Sequence, residues 1–221
     1  MHYSVLATTN QKKHSVRILQ EPVSSLDDEL YCLLPPENML EQRLLSMPPI
    51  RKGLYWGEPR FGHPEGIVAR HVQEVLRNID LMACCPDTRV RLRIAAIVHD
   101  AFKWQEPRTI PRDWSRHHGR LARKFLEKII DDILLLDLIE WHDEAWYIWR
   151  YLFIEEKPWV AHHRLEALIK RFGSQLQLYY LFFKADTCTG NKIHAPLRWF
   201  EQTIPGLKIV TLLGAEVKPP A

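Results

Sequence analysis

Apolar residues recur at helical spacing over most of the chain beyond residue 64. Residues 65–79 place Val68, Val72, Val75 and Ile79 on one face of a predicted helix. The same spacing predicts helices at residues 88–103, 115–126, 131–149, 160–171 and 174–188. The pattern therefore favours a mainly α fold, built as a bundle of helices around one core.

The two ends of the chain show other patterns. Residues 4–8 and 15–20 are predicted as two short strands of a hairpin, and residues 208–213 as a strand in the C-terminal tail. Proline pairs bracket a short helix at residues 37–47, and residues 53–66 are predicted as a loop. We therefore divide the chain into an N-terminal extension (1–63), a helical domain (64–203) and a tail (204–221), the extensions being β or irregular.

Composition excludes several classes of protein. The 221 residues are 46% apolar and 26% charged, which is ordinary for a globular domain. The formal net charge of +3 is too small to favour a nucleic-acid binder. No CxxC pair occurs among the four cysteines, and neither a signal peptide nor a membrane span is visible. We expect reduced thiols, a cytoplasmic location and no membrane partner.

Ionisable side chains interrupt several of the apolar helices. The residues concerned are His71, His99, Asp100, His118, His142 and Asp186. Each one alone could be a core histidine, a surface residue or a helix cap. Burying a carboxylate is costly unless it is paired or bound to a metal, and imidazole and carboxylate are ligands for divalent transition metals. Helices in a bundle could bring the whole set to one interior point.

The order of these residues resembles the H…HD…D signature of the HD superfamily of metal-dependent phosphohydrolases. His71 resembles the histidine of the family's first helix, and the string from His99 to Lys103 resembles its HDxxK. The added His118 and His142 resemble the longer form of the signature, which belongs to HD proteins with two metals. Phe102 stands where the family has a small residue. The long interval between His142 and Asp186 implies an inserted helix near residues 159–172.

The resemblance implies an HD-domain helical bundle with one or two divalent metal ions, drawn from Fe, Mn, Co, Ni and Zn. One metal would be held by His71, His99, Asp100 and Asp186. A second would be held by His118 and His142, with Asp100 bridging the two ions. His117 adjoins His118, so either histidine could be the ligand, and His118 is favoured because Gly119 and Ala122 follow it in the family manner.

The resemblance also implies an enzyme that cleaves a phosphoester or phosphoanhydride bond of a small phosphorylated substrate, a nucleotide being favoured. Asp100 and Lys103 are the candidate catalytic residues. The candidates for binding the substrate are Arg70, Lys103, Arg116, His117 and Lys184, although a surface charge is an alternative for each. The oligomeric state is left open, a homodimer included.

Two other functions remain open from the sequence. An HD domain can retain its metal yet act as a ligand-binding or regulatory module with little turnover. The basic residues between Arg108 and Lys128 could instead contact nucleic acid, which the small net charge disfavours. Tryptophans near the candidate site, such as Trp104, Trp114 and Trp146, could stack on a base or simply fill the core.

Overall fold

The computed structural model describes residues 28–59, 64 and 66–212. Within these ranges the chain forms the α-helices α1 (Asp28–Leu33), α2 (Met39–Ser46), α3 (Pro48–Leu54), α4 (Val68–Asp80), α5 (Pro86–Val98), α6 (His118–Leu126), α7 (Ile133–Trp141), α8 (Glu144–Phe153), α9 (Pro158–Phe172), α10 (Leu176–Thr187) and α11 (Ala195–Thr203). Short 3-10 turns lie at Lys103–Gln105, Trp114–Arg116 and Gly173–Gln175. The predicted mainly α helical bundle is confirmed.

Helix α5 lies at the centre of the bundle, packed against α2, α4, α7 and α10. Every residue from Leu92 to Val98 is buried, so this helix is enclosed on all sides near its C-terminal end. Helix α10 packs against both α4 and α5, and Tyr179, Tyr180 and Phe182 are fully buried along it. The C-terminal ends of α5 and α10 therefore lie inside the protein, which is where polar side chains need partners.

One predicted helix is wrong in its continuity. Residues 131–149 form two helices, α7 and α8, separated by His142 and Asp143. The Tyr179 hydroxyl accepts a hydrogen bond from Ala145 N at 2.9 Å and donates one to His142 O at 3.3 Å. These bonds occupy backbone groups at the break, so a buried side chain from α10 stabilises an interruption that the apolar periodicity does not reveal.

The proline pair at Pro48 and Pro49 was expected only to end a helix. It ends α2 and also begins α3, because proline is well tolerated in the first turn of a helix. The predicted loop at 53–66 therefore starts too early, since α3 extends to Leu54. Helices α1 and α11 were also not predicted. The inserted helix expected near residues 159–172 is present as α9.

The strands predicted in the N-terminal and C-terminal extensions can be compared with the structure only in part. The hairpin at residues 4–8 and 15–20 lies outside the described residues. Residues 208–212 form no strand, so that prediction is wrong for its described part. Side chains of α10 take the place of a neighbouring strand: Gln177 exchanges two hydrogen bonds with the backbone of Lys208, each 2.9 Å, and the Tyr180 hydroxyl accepts from Val210 N at 3.2 Å.

None of the helices in the described part of the chain combines the length and the apolarity that crossing a membrane requires.

Candidate metal centre

The turn after α5 places His99 and Asp100 in the protein interior. His99 is the C-cap of α5, and both side chains are almost fully buried. Helix α3 packs directly on this turn at Gly53, where an added Cβ would lie only 1.6 Å from the carbonyl oxygen of Ala101. Only glycine leaves room for this approach, so the N-terminal helices help to fix the position of Asp100.

A first group of side chains surrounds one oxygen of Asp100. Asp100 Oδ2 lies 3.4 Å from His99 Nε2 and 3.7 Å from His71 Nε2. Asp186 Oδ1 closes the group at 2.9 Å from His71 Nε2 and 3.7 Å from His99 Nε2. The four residues come from α4, the end of α5 and α10, so three parts of the bundle meet at this point.

A second group surrounds the other oxygen of the same carboxylate. Asp100 Oδ1 lies 3.3 Å from His118 Nε2 and 3.7 Å from His142 Nε2. The two imidazole nitrogens are 3.2 Å apart, and all three side chains are buried. Asp100 therefore stands between two groups of ligand-type atoms, one facing each oxygen.

Hydrogen bonds to Nδ1 turn the Nε2 atom of three imidazoles inward. His99 Nδ1 donates to Ala96 O at 2.9 Å, and His142 Nδ1 donates to Ile139 O at 2.8 Å, because a carbonyl oxygen can only accept. His118 Nδ1 contacts Glu106 Oε2 at 2.5 Å. Burial alone would raise the pKa of Glu106, but the hydrogen bond with His118 lowers it to about 2, so this carboxylate is the acceptor. Partners of this kind fix the ring orientation of metal-bound histidines.

The same contacts decide between His117 and His118. His118 uses Nδ1 on Glu106 and directs Nε2 at Asp100 and His142. His117 Nδ1 instead accepts from Gly119 N at 3.2 Å, so in the neutral ring Nε2 carries the proton and has no lone pair for a metal. The geometry favours His118 as the ligand.

The centre holds negative charge and also attracts positive charge. Burial tends to raise the pKa values of Asp100 and Asp186, but neighbouring imidazoles and lysines hold both well below the ordinary range. Lys103 Nζ lies 2.6 Å from Asp100 Oδ2, and Lys192 Nζ lies 2.9 Å from Asp186 Oδ1. Both carboxylates are therefore ionised at neutral pH, as metal ligands must be.

Two buried polar atoms test whether this centre suits a metal. Among the described residues, His99 Nε2 and Asp100 Oδ1 have no hydrogen-bond partner, although neither is reached by solvent. Such atoms are costly unless something binds them. Three sets of side chains among the described residues meet the spacing of metal ligands: His71, His99 and Asp100; Asp100, His118 and His142; and Glu106, His117 and His118. The first two sets share Asp100, whereas in the third set Glu106 already binds His118 Nδ1. The imidazole and carboxylate donors fit a divalent transition metal better than Ca²⁺.

A cavity of about 430 Å³ opens over the centre. Asp100, His118, His142 and Asp186 form part of its lining. Cations also line it, namely Lys103, Arg112 and Lys192, and its apolar lining includes Trp146, Tyr147 and Ile193. The cavity can therefore accept an anion next to the ligand atoms and an apolar or planar group beside them.

The structure brings Lys103 to this cavity but not the other predicted substrate-binding residues. Arg70 and Arg116 are exposed and do not line it. Lys184 is taken up by an ion pair of 2.6 Å with Glu201 Oε1 toward α11. His117 lines a neighbouring cavity of about 190 Å³ and contacts Asp143 instead.

Sequence analysis missed several residues of the centre. Lys192, Arg112 and Glu106 come from loops, and nothing in their spacing marks them. Asp143 could have been found, because His142-Asp143 repeats the His99-Asp100 dipeptide at the end of another apolar helix.

Comparison with known families agrees with this arrangement. The family model described as "HD domain" matches residues 61–175, a span that contains His71, His99, Asp100, His118 and His142 but not Asp186. No curated protein and no solved structure gives a significant match to the chain. More than half of the chain is matched, and the fold and the buried His-Asp dipeptide agree with the match, so this protein belongs to the HD-domain family.

Proposed function

We propose that this chain is a metal-dependent phosphohydrolase that cleaves a phosphoester or phosphoanhydride bond of a nucleotide. The convergence of His71, His99, Asp100, His118, His142 and Asp186 carries this proposal. Asp100 presents one oxygen to each half of the group, so this carboxylate would be able to contribute to holding a cation in each half.

Two sets of residues would hold the cations. His71, His99, Asp100 and Asp186 would bind the first, and Asp100, His118 and His142 the second. Bound divalent metals supply an activated water nucleophile and neutralise charge on a phosphoryl group. The ligand side chains lie on or next to helices that pack against one another, so the protein needs little reorganisation when the metals bind.

Three cations of the cavity lining would bind and orient the phosphate groups. Lys103 lies against Asp100, and Lys192 lies against Asp186. Each ammonium group would therefore stand beside a phosphoryl group bound at the cations. Arg112 is partly exposed, pairs with Glu106 Oε1 and lies 5.2 Å from the ring centroid of Tyr147. A guanidinium group can contact two phosphate oxygens at once, whereas an ammonium group acts as a point charge.

The apolar part of the cavity supports a nucleotide over inorganic polyphosphate. Trp146, Tyr147 and Ile193 lie beside the cationic lining, and a purine or pyrimidine ring could pack on such a surface. A nucleic-acid partner has less support, because Arg120 and Arg123 of the basic segment form ion pairs with Glu140.

A substrate panel on metal-stripped protein tests the proposal. The panel contains dinucleoside polyphosphates, nucleoside mono-, di- and triphosphates, cyclic nucleotides and phosphodiesters, each with Mn²⁺, Co²⁺, Ni²⁺, Fe²⁺ or Zn²⁺. We expect metal-dependent release of a phosphate-containing product, and elemental analysis should find one of these metals. His71→Ala and Asp186→Ala should abolish hydrolysis while the circular dichroism spectrum stays helical. Binding of nucleotides without any turnover would contradict the proposal and support a regulatory HD domain.

A further inference from the structure

A second His-Asp dipeptide repeats the local geometry of the first. His99 ends α5 with φ −51° and ψ −42°, and His142 ends α7 with φ −54° and ψ −36°. Each imidazole Nδ1 donates to the carbonyl oxygen three residues earlier in the chain. The residue after each histidine is an aspartate, Asp100 in the first dipeptide and Asp143 in the second.

The carboxylate of Asp143 faces the same nitrogens that Asp100 faces in the second group. Asp143 Oδ2 lies 3.4 Å from His118 Nε2 and 3.5 Å from His142 Nε2. Asp143 also lines the cavity over the centre. The atoms around this point are thus two imidazole nitrogens and one oxygen from each of two carboxylates.

We propose that Asp143 is a ligand of the cation held by His118, His142 and Asp100, an inference that rests on the metal centre of the proposed function. It gives the two cations equivalent donor sets of two imidazoles and two carboxylates, since Asp186 completes the first set as Asp143 completes the second. Without Asp143, two dications would face only the carboxylates of Asp100 and Asp186. A third carboxylate offsets more of that charge in a buried place.

His117 also lies next to the carboxylate of Asp143, near the oxygen that faces His118 and His142. Its Nδ1 accepts from Gly119 N, so the protonated Nε2 faces Asp143 Oδ2, at 3.5 Å. The ring lies next to His118, with 4.1 Å between ring centroids, and is buried. His117 is therefore a positioning residue for the Asp143 carboxylate. Residues next to the metal ligands orient those ligands in the same way in other metalloproteins.

Calorimetric titration with Mn²⁺ tests whether Asp143 is a ligand. The metal-stripped full chain is titrated, and elemental analysis then counts the ions bound to the loaded protein. The wild-type chain should bind two ions. Asp143→Asn should bind one with wild-type affinity and the other at least ~10-fold more weakly. Asp131→Asn is a matched control, because Asp131 is exposed and lies outside the centre. Asp186→Asn should instead weaken binding of the first cation, the one held by His71, His99 and Asp100.

A comparison of two substitutions at His117 tests whether this residue positions Asp143. His117→Ala should weaken only the second ion, by about 10-fold, whereas His117→Gln, whose amide can still donate toward Asp143, should recover most of that loss. A purely structural role would weaken both ions or neither. If Asp143→Asn loses its thermal unfolding transition, Asp143→Ser is titrated in its place.

Several outcomes would overturn the inference. Two ions bound by Asp143→Asn with wild-type affinity would do so, even if activity were lost, because Asp143 would then act on the substrate. A single ion in both the wild type and the variant would remove the second site while leaving the proposed function standing. No bound ion in the wild type would remove the proposed function itself.

Discussion

His118 Nε2 and His142 Nε2 lie 3.2 Å apart in the protein interior, and both rings use Nδ1 for other partners. Two neutral rings so oriented would direct lone pairs at each other, which is unfavourable unless a proton or a metal ion lies between them. Burial alone would lower the pKa of His142, but Asp143 and Asp100 raise it to about 9. The pocket therefore binds a positive charge whether or not a metal is present.

The raised pKa predicts competition between a proton and the second cation. Below pH 9 the cation-free protein carries a proton on His142, and binding a cation at Nε2 must displace it. Apparent affinity for the second cation should therefore rise with pH up to about 9. Calorimetry at pH 7 in buffers of different ionisation enthalpy should detect the released proton.

His71 provides the contrast for this measurement. Burial lowers the pKa of His71 to about 4, so its ring is already neutral at pH 7 and the first cation displaces no proton from it. Proton release that is equal for both cations, or unchanged in His142→Asn, would contradict the prediction.

Lys103→Met should impair hydrolysis more than it impairs folding. The variant removes the ammonium group that lies 2.6 Å from Asp100 Oδ2 and lines the cavity, so phosphate binding should weaken. We expect kcat/KM to fall by ~10- to 100-fold, which corresponds to the ~1.5–3 kcal/mol of a hydrogen bond to a charged group. Steady-state kinetics on the best substrate measure it, and Lys124→Met, on the exposed side of α6, is the matched control. Equal losses of kcat/KM in Lys103→Met and Lys124→Met would contradict the assignment of Lys103 to phosphate binding.

Glu41→Ala should destabilise the whole fold although it lies far from the centre in sequence. Glu41 is fully buried and pairs with Arg93, Nη2 to Oε2 being 3.0 Å, and it also accepts from Glu37 N at 2.8 Å. Removing Glu41 takes away the buried carboxylate that pairs with the Arg93 guanidinium and leaves it the half-exposed carboxylates of Glu37 and Asp80. We therefore expect a cost of about 3 kcal/mol, the lower end of the range for breaking a buried ion pair. Urea unfolding measures the loss. Glu127→Ala, at a half-exposed site, should change the free energy of unfolding by less than ~1 kcal/mol.

Tyr179→Phe should destabilise the break between α7 and α8. The hydroxyl is the acceptor for Ala145 N and donates to His142 O, and the residue is fully buried. Losing it leaves a buried N–H unsatisfied, at a cost of about 1–3 kcal/mol. Because the break positions His142 and Asp143, affinity for the second cation should fall as well. Thermal unfolding and Mn²⁺ titration check both effects, and unchanged values in both would contradict this role.

Gly119→Ala should disturb the packing of α6 on α7. A Cβ at this position would lie 2.7 Å from Glu140 O and 2.9 Å from Ile139 O, both backbone atoms that cannot rotate away. We expect a loss of about 1–3 kcal/mol in the free energy of unfolding, measured by urea denaturation, because the two helices must separate slightly. Helices α6 and α7 carry His118 and His142 at their ends, so the second cation should again bind more weakly. Wild-type stability would show that the backbone can adjust.

Some of the fold and centre follows from sequence because it depends on local periodicity. Residues Val68 to Ile79 repeat apolar side chains with the period of a helix, and His71 lies on that buried face. The His99-Asp100 dipeptide ends a run that is apolar enough to be central. By contrast, the interruption after Trp141 depends on Tyr179, which is 34 residues away from Ala145 in sequence. Periodicity within one helix cannot report a hydrogen bond from another.

The sequence by itself determined the helical class, the family resemblance and the six ligand-type residues, because each depends on residue identity and short-range spacing. Tertiary structure alone decided that Asp100 faces both groups, that His118 rather than His117 directs Nε2 inward, and that Lys192 and Arg112 join the centre while Lys184 does not. Those features depend on where distant helices and loops meet in space, and the direction of an imidazole ring depends on the partner that its other nitrogen finds there.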